Sequence, residues 1–434
     1  MHRWFAKVAA AAASVALCGL VGVAWIAGNK AQATEGYFQN GYGARQQALA
    51  GAGVADSRDA MALSLNPAGL VDVDPQFQVG ASLFVPLRGY TAIGPGFVAP
   101  GTIDSTENFF VVPNIAYSRP IDAESAWGVA LFGNGGMNTN YKGVANPICA
   151  LFGAPPGVFC GGDAGVDLIQ AFLSVGYARR FGNLSVGVAP VLAIQRFKAK
   201  GLGFFAPFSS DPANLTNRGY DWSFGGGVRG GVQWSLTKNV RFGVSAQTPI
   251  WMTNFDKYRG LFADQGDFDI PGNFTVGVAV DVMPTLTVML DYKHIFYSSI
   301  ASVGNSSQVP LPLGFTNGPG FGWHDVDIIK IGAEWRASPI WTFRIGYAHN
   351  TNPIKSADVT LNILAPGVVT DHFTGGFSYK MTPTSTIDFA ATFVPKHSVS
   401  GIEVTPIGPN PARTITLAMH QYQFTAGWTY RFGQ

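Results

Sequence analysis

The side chains able to do bond-making chemistry in this 434-residue sequence are few and scattered. Nucleophilic catalysis needs a Ser, Cys or Asp beside a positioned base. His294, His324, His349, His372, His397 and His420 stand far apart, and neither G-x-S-x-G nor H-E-x-x-H occurs. An enzyme is therefore disfavoured. Cys149 and Cys160 have no second cysteine pair or histidine at zinc-ligand spacing, so neither a metal nor another cofactor is expected. What remains is binding chemistry. Arg229, Lys330 and Arg344, with Lys293, fall on the inward-facing positions of segments that alternate apolar and polar residues, where an arginine could grip a carboxylate through two parallel hydrogen bonds. The competing reading pairs them internally with Asp291, Glu334 and Asp388, because buried charges need partners. Two apolar clusters, Leu202, Phe204, Phe205 and Phe208, then Leu261, Phe262 and Phe268, either pack on one another or form a binding surface.

The elements that must position these residues are unusual. Only 12% of residues are charged, about half the ~25% of an ordinary soluble domain, while 47% are apolar and 54 are glycine. That balance points to a membrane, yet Val8 to Ala27 is the one apolar run long enough for a spanning helix. Arg3 and Lys7 precede it and Ala31-Gln32-Ala33 follows it, which predicts a secretory signal peptide over 1–33. An uncleaved anchor is the alternative that the A-x-A site argues against. Removing Arg3, Lys7 and Lys30 from the 28 basic residues leaves 25 against 26 acids, a net charge of −1. With no basic stripe, nucleic acid is not an expected partner. Export also makes a Cys149–Cys160 disulfide the favoured reading, with two free thiols as the alternative.

Without helical spans, only a closed barrel satisfies every backbone N–H and C=O in lipid. Its signature is period-2 alternation in short segments separated by turns. Tyr422, Phe424, Ala426, Trp428, Tyr430 and Phe432 share one face, and Gln423, Thr425, Gly427, Thr429 and Arg431 share the other. Marking such segments predicts fourteen strands: 75–87, 107–118, 125–135, 166–180, 184–197, 220–236, 239–256, 272–282, 285–300, 323–336, 340–352, 367–381, 384–396 and 420–432. Connections after even strands are tight and those after odd strands are long, the pattern of an outer-membrane barrel in a Gram-negative bacterium. The predicted fold class is thus all-β, a 14-stranded antiparallel transmembrane β-barrel spanning 75–434.

Residues 34–74 lack alternation and are rich in small residues. Asp56 to Leu65 could form a short helix ended by Asn66-Pro67. The run Gly43-Ala-Arg-Gln-Gln-Ala-Leu-Ala-Gly-Ala-Gly-Val-Ala55, then Asp59-Ala60 and Asn66-Pro67-Ala68-Gly69-Leu70, resembles the N-terminal hatch of the long-chain fatty acid transporter family, which includes toluene and xylene uptake proteins. The resemblance implies a monomeric barrel with residues 34–74 as an N-terminal plug in its lumen. It also implies passive uptake of a hydrophobic small molecule, delivered to the outer-membrane lipid through a lateral gap. The gap would lie where an inward kink of the third strand, here Gly133, Asn134, Gly135 and Gly136, meets the hatch at Asn66, Pro67 and Ala68. A capture groove would come from loops 198–219 and 257–271, which carry both phenylalanine clusters. The chain departs from the usual barrel ending, because Gly433 and Gln434 follow the last aromatic, Phe432. A diffusion porin or an adhesin-type structural barrel is the alternative function. A porin gives no reason for the plug, and an adhesin none for the phenylalanine-rich loops. The family spans fatty acids and aromatic hydrocarbons, and the resemblance does not choose between them.

Overall fold

The alternating segments fold into one antiparallel sheet that closes on itself. The structure, a computed structural model, describes residues 35–432. The signal-peptide segment 1–33 lies outside the described residues. Fourteen strands form the wall: β1 (Gln76–Ile93), β3 (Phe110–Pro120), β4 (Ser125–Asn138), β5 (Gly165–Phe181), β6 (Leu184–Lys200), β7 (Asp221–Ser235), β8 (Val240–Gln247), β10 (Asn273–Met283), β11 (Leu286–Ile295), β12 (Val326–Arg336), β13 (Trp341–Asn350), β14 (Asp371–Lys380), β15 (Ser385–Thr405) and β16 (Gly408–Arg431). Short β2 (Gly101–Asp104) and β9 (Trp251–Met252) pair onto β1 and β7. Closure comes from β1 and β16, paired from Gln76↔Arg431 to Ile93↔Thr414. No wall edge is left at this seam, as hydrocarbon requires.

Each strand sorts its residues by solvent. On β16, Tyr422, Phe424, Trp428 and Tyr430 point outward and are exposed, while Gln421, Gln423, Thr425 and Thr429 are buried inside. A Lys or Arg on the outward face near mid-membrane would cost ~2–4 kcal/mol, which explains why that face is apolar. Aromatic pairs such as Trp234–Phe242 and Trp341–Tyr379 ring the short-turn rim. The opposite rim carries the long loops: L1 (94–109), L2 (139–164), L3 (201–220), L4 (248–272), L5 (296–325) and L6 (351–370).

Two strand expectations and one helix expectation need correction. The stretch 397–419, read as a long outer loop, is instead strand. β15 and β16 continue past the membrane as a hairpin turning at Pro406-Ile407, with Val399↔Leu417 and Ser400↔Thr416 paired. A register slip between Val394 and His397 interrupts the alternation there and hid the continuity. The predicted strand 239–256 stops at Gln247, because Pro249 has no N–H to give a ladder. The predicted helix 56–65 is only a 3-10 turn, Ala60–Ser64, capped by Asp59 accepting from Met61 N at 3.1 Å.

Within the barrel, the segment from Glu35 to Leu70 is almost wholly buried. It holds one short helix, α1 (Gly43–Ala48), which packs on β14, β15 and β16, and a second 3-10 turn, Pro67–Asp72, which packs on β5, β6 and β7. Small residues permit this contact. A Cβ at Gly346 would sit 2.4 Å from the Leu49 backbone, and one at Gly243 would sit 2.3 Å from the Val54 carbonyl.

Candidate functional site

The wall is not continuous. β3 and β4 pair only from Asn114↔Phe132 to Pro120↔Ala126. Beyond that rung, β3 residues 110–113 pair with β1 and β4 residues 135–138 with β5, and β3 and β4 no longer pair with each other. The cause is local. The register slips between Gly133 and Gly135, leaving Asn134 as an inserted residue, and a glycine-rich strand is easily bulged. From Asn134 to Asn138 every residue is buried, so alternation is lost and both faces of the strand lie inside.

The vacated edge of β4 is paired by the N-terminal segment. Gly136 N donates to Tyr37 O at 2.9 Å, and Gln39 N donates to Asn134 O at 3.1 Å. Gln39 also reaches the Gly133 carbonyl through its side-chain amide. Asn134 is held on both sides, accepting from the Tyr42 hydroxyl at 2.9 Å and donating to Gln170 at 2.9 Å. A Cβ on Gly135 would sit 1.7 Å from the Tyr37 carbonyl, so this approach requires glycine.

Asn66, Pro67 and Ala68 lie elsewhere. Asn66 caps the following turn by accepting from Ala68 N at 3.1 Å, and its amide donates to Val54 O and to Val232 O of β7. Pro67 and Ala68 pack on Gly187 of β6. The expectation that this triplet touches the kink is corrected. Tyr37, Phe38 and Gln39 touch it, and the triplet seats the segment near the short-turn rim. Sequence reasoning missed the three because nothing in their spacing announces a strand edge. The glycine run on β4 was the available signal that a backbone comes close.

The lumen cations are engaged. Lys330 and Lys293 both reach Glu35, at 2.6 and 2.7 Å. Burial alone would raise the Glu35 carboxyl, but the two ammonium groups hold it below its ordinary value. Arg344 Nε lies 2.8 Å from Glu334, which also receives Arg45 at 2.8 Å. Arg229 donates to the Leu63 carbonyl at 2.9 Å and to the Gln247 side chain. Asp291 accepts from Gly53 N and Val54 N, at 2.8 and 2.9 Å. The head-group reading of Lys330 and Arg344 is therefore corrected to internal pairing. Lys330 takes Glu35 of the N-terminal segment, and Asp291, one of the three expected partners of the cations, instead fastens that segment.

Above this polar layer the loops enclose a cavity of about 380 Å³. Leu202, Phe205 and Phe208 of L3 and Leu261 of L4 line it, together with Val309–Leu313 of L5 and Leu361 of L6. The L5 run was overlooked, although proline-spaced apolar residues in an outer loop were a readable signal. A disulfide joins Cys149 and Cys160, with Cα atoms 5.1 Å apart, and places Phe159 edge-on to Phe205 at 5.6 Å. Three predicted groove residues are not in the lining. Phe204 stacks outside it on Phe97 at 4.5 Å. Phe262 and Phe268 are fully buried, 4.7 Å apart, and Phe268 reaches Tyr37 at 6.1 Å. They form an aromatic column between the loops and the segment that pairs with the kink.

A model of the family described as outer membrane protein transport protein (OMPP1/FadL/TodX) matches residues 20–432. The long-chain fatty acid transport protein of Escherichia coli O6:H1 is 23% identical over 385 residues, 77% of this chain and 81% of that protein. Among solved structures, the Pseudomonas putida toluene transporter TodX superposes with a TM-score of 0.67 at 18% identity, covering 92% of this chain and 100% of that one. A FadL homologue of Pseudomonas aeruginosa gives 0.66 at 16% identity, with coverages of 92% and 100%. These structural likenesses are likenesses of fold.

Proposed function

The chain belongs to the outer membrane transport protein family (OMPP1/FadL/TodX), and from that premise we propose that it carries hydrophobic small molecules passively into the outer-membrane lipid. The mature chain would begin after a cleaved signal peptide, 1–33. Residues 34–74 would act as the plug of a monomeric barrel, 75–434, with no catalytic step and no cofactor. The outer cavity would collect ligand, and the gap between β3 and β4 would release it sideways. The break in the wall above Asn114 and Phe132 carries this reading. Straight descent would take an apolar molecule through the layer of Glu35, Lys330, Glu334 and Arg344, where charges would have to be parted. The sideways route crosses a strand edge instead.

Relatives are named for long-chain fatty acids and for toluene. An apolar cavity of about 150 Å³ holds benzene, so one of about 380 Å³ has room for an extended chain as well as a single ring. A non-enzymatic role rests on the family, whose matched relative is named as a transport protein. His294 and His349 pair with Asp327 and Asp371 at 2.7 and 2.9 Å, and each aspartate also binds a tyrosine hydroxyl. Cells expressing the chain in a background without a comparable carrier should accumulate radiolabelled oleate or toluene faster than vector controls, with no gain for a small sugar. A gain for sugar alone would favour the diffusion-porin alternative and defeat the proposal.

A further inference from the structure

The outward face of β6 changes chemistry along its length. Leu184, Val186, Val188, Pro190 and Leu192 stand exposed on it, as lipid requires. Neither ladder of β6 slips in register, so the same face continues through Ile194 to Arg196, Lys198 and Lys200. Apolar positions thus give way to three successive cations at the long-loop end. A cation is expensive on this face at mid-membrane and costs little at the headgroup level, which a long side chain can also reach.

Neighbouring chain adds to the charge. The bridge between Tyr141 and Ala164 sets Lys142 of L2 beside the rung Gly165↔Lys200, and the charges of Lys142 and Lys200 repel. Across 141–143, 163–170 and 194–200, four cations (Lys142, Arg196, Lys198 and Lys200) face two carboxylates, Asp163 and Asp167, which leaves a surplus of two positive charges. Asp167 is buried and already engaged, accepting from the Tyr220 hydroxyl at 2.6 Å. That ring is gripped from two sides, with the Arg196 guanidinium 4.0 Å and the Lys198 ammonium 4.4 Å from its centroid. Lys198 and Lys200 stay partly exposed. Beside and below the cations, Leu192, Trp222, Phe224 and Trp251 are exposed, a fringe of the kind that sits at a membrane interface. The outer ends of β11 and β13 differ, because there His294 faces Asp325 and Asp327, and His349 faces Asp371.

We propose that the outer end of β6 is a docking site for the phosphorylated glycolipid of the outer leaflet. Lys142, Lys198 and Lys200 receive its phosphate groups, and Leu192, Phe224 and Trp251 lie against its acyl chains. Charge complementarity selects this occupant: a surplus of cations stands directly above an apolar wall, and the glycolipid sets phosphates directly above hydrocarbon. Arg196 and Tyr220 keep the cationic face rigid. The contact is independent of what the barrel transports and would fix the barrel's depth and orientation in the leaflet on this side.

Purified full-length protein in non-ionic detergent, titrated with diphosphoryl lipid A and read by native mass spectrometry, tests the site. At roughly five-fold per lysine near an anionic surface, the double variant Lys198→Gln/Lys200→Gln should bind on the order of 30-fold more weakly than wild type. Lys238→Gln, the same change of charge on an exposed turn of the opposite rim, should leave binding unchanged. Monophosphoryl lipid A and phosphatidylglycerol should bind wild type more weakly than diphosphoryl lipid A. Raising the salt concentration should weaken wild type more than the double variant. Heat-modifiable electrophoretic migration checks that each variant is assembled. Equal affinity of the double variant and wild type overturns the site. An equal loss in Lys238→Gln also overturns it, since the attraction would then belong to net charge and not to this face. Phosphatidylglycerol binding as tightly as diphosphoryl lipid A overturns the glycolipid as occupant.

Discussion

Glu334 is the residue on which most charge converges. Arg45 and Arg344 approach it at 2.8 Å, Arg58 at 3.5 Å and Arg336 at 3.6 Å, and its side chain is 2% exposed. Removing the charge takes a carboxylate at 2.8 Å from both Arg45 and Arg344, which keep Asp56 at 2.8 Å and Asp388 at 3.7 Å, so the cost should approach but not exceed the roughly 3–5 kcal/mol of a buried pair broken outright. Glu334→Gln should therefore lower the denaturant midpoint of the barrel markedly. Arg336→Gln, whose partner keeps three other arginines and whose side chain is 29% exposed, should cost under about 1 kcal/mol. Equal midpoints for Glu334→Gln and wild type would remove the network from any account of stability. At this scale the sequence was half legible. Alternation placed Glu334, Arg344 and Lys330 on the inner face. Their partners Arg45 and Glu35 were not readable, because a segment without periodicity says nothing about which strand it will touch. Phe262 and Phe268 were misplaced for a similar reason: residue type cannot distinguish a phenylalanine lining a cavity from one sealed beneath it.

Among the elements, β4 carries the break in the wall, and its cause is one inserted residue. Asn134 has no cross-strand partner on β5, while Gly133 and Gly135 on either side pair with Ala171 and Gln170. Deleting Asn134 should restore continuous register, turn residues 135–138 back toward the wall and let them pair with β3. It would also displace the backbone bonds from Tyr37 and Gln39. The expected outcome is strong loss of oleate and toluene uptake with heat-modifiable migration retained. Retained uptake would dissociate transport from the gap. The kink was legible because glycine in a strand interior has few structural uses. The β15–β16 hairpin was not, because its register slips broke the period that identifies a strand. The wall itself was the most readable part, since lipid on one side and packed lumen on the other impose the same alternation on every strand.

On the scale of the whole molecule, two carboxyl groups of the N-terminal segment respond oppositely to pH, one tying the segment to the barrel and the other capping a turn within the segment. Glu35 anchors the upper end through Lys293 and Lys330. Burial opposes its ionisation, but the two lysines win, so its folded pKa lies below the ordinary 4.5. Its contribution is therefore complete above 4.5 and is lost as pH falls through the lower folded value. Asp59 caps the turn at the other end, and burial raises its pKa above the ordinary 3.8. Its contribution is complete below 3.8 and is lost as pH rises through the folded value. Acidification should thus loosen one end of the segment and not the other. Hydrogen exchange, corrected for the intrinsic pH dependence of amide rates, should show protection falling in peptides covering 35–42 once pH drops below 4.5. Peptides covering 59–66 should hold or gain protection over the same range. Uniform loss across both would mean that the segment leaves the barrel as a unit and that Glu35 does not control its upper end. A selective loss would locate the first step of plug release beside Tyr37 and Gln39, at the residues that complete the edge of β4.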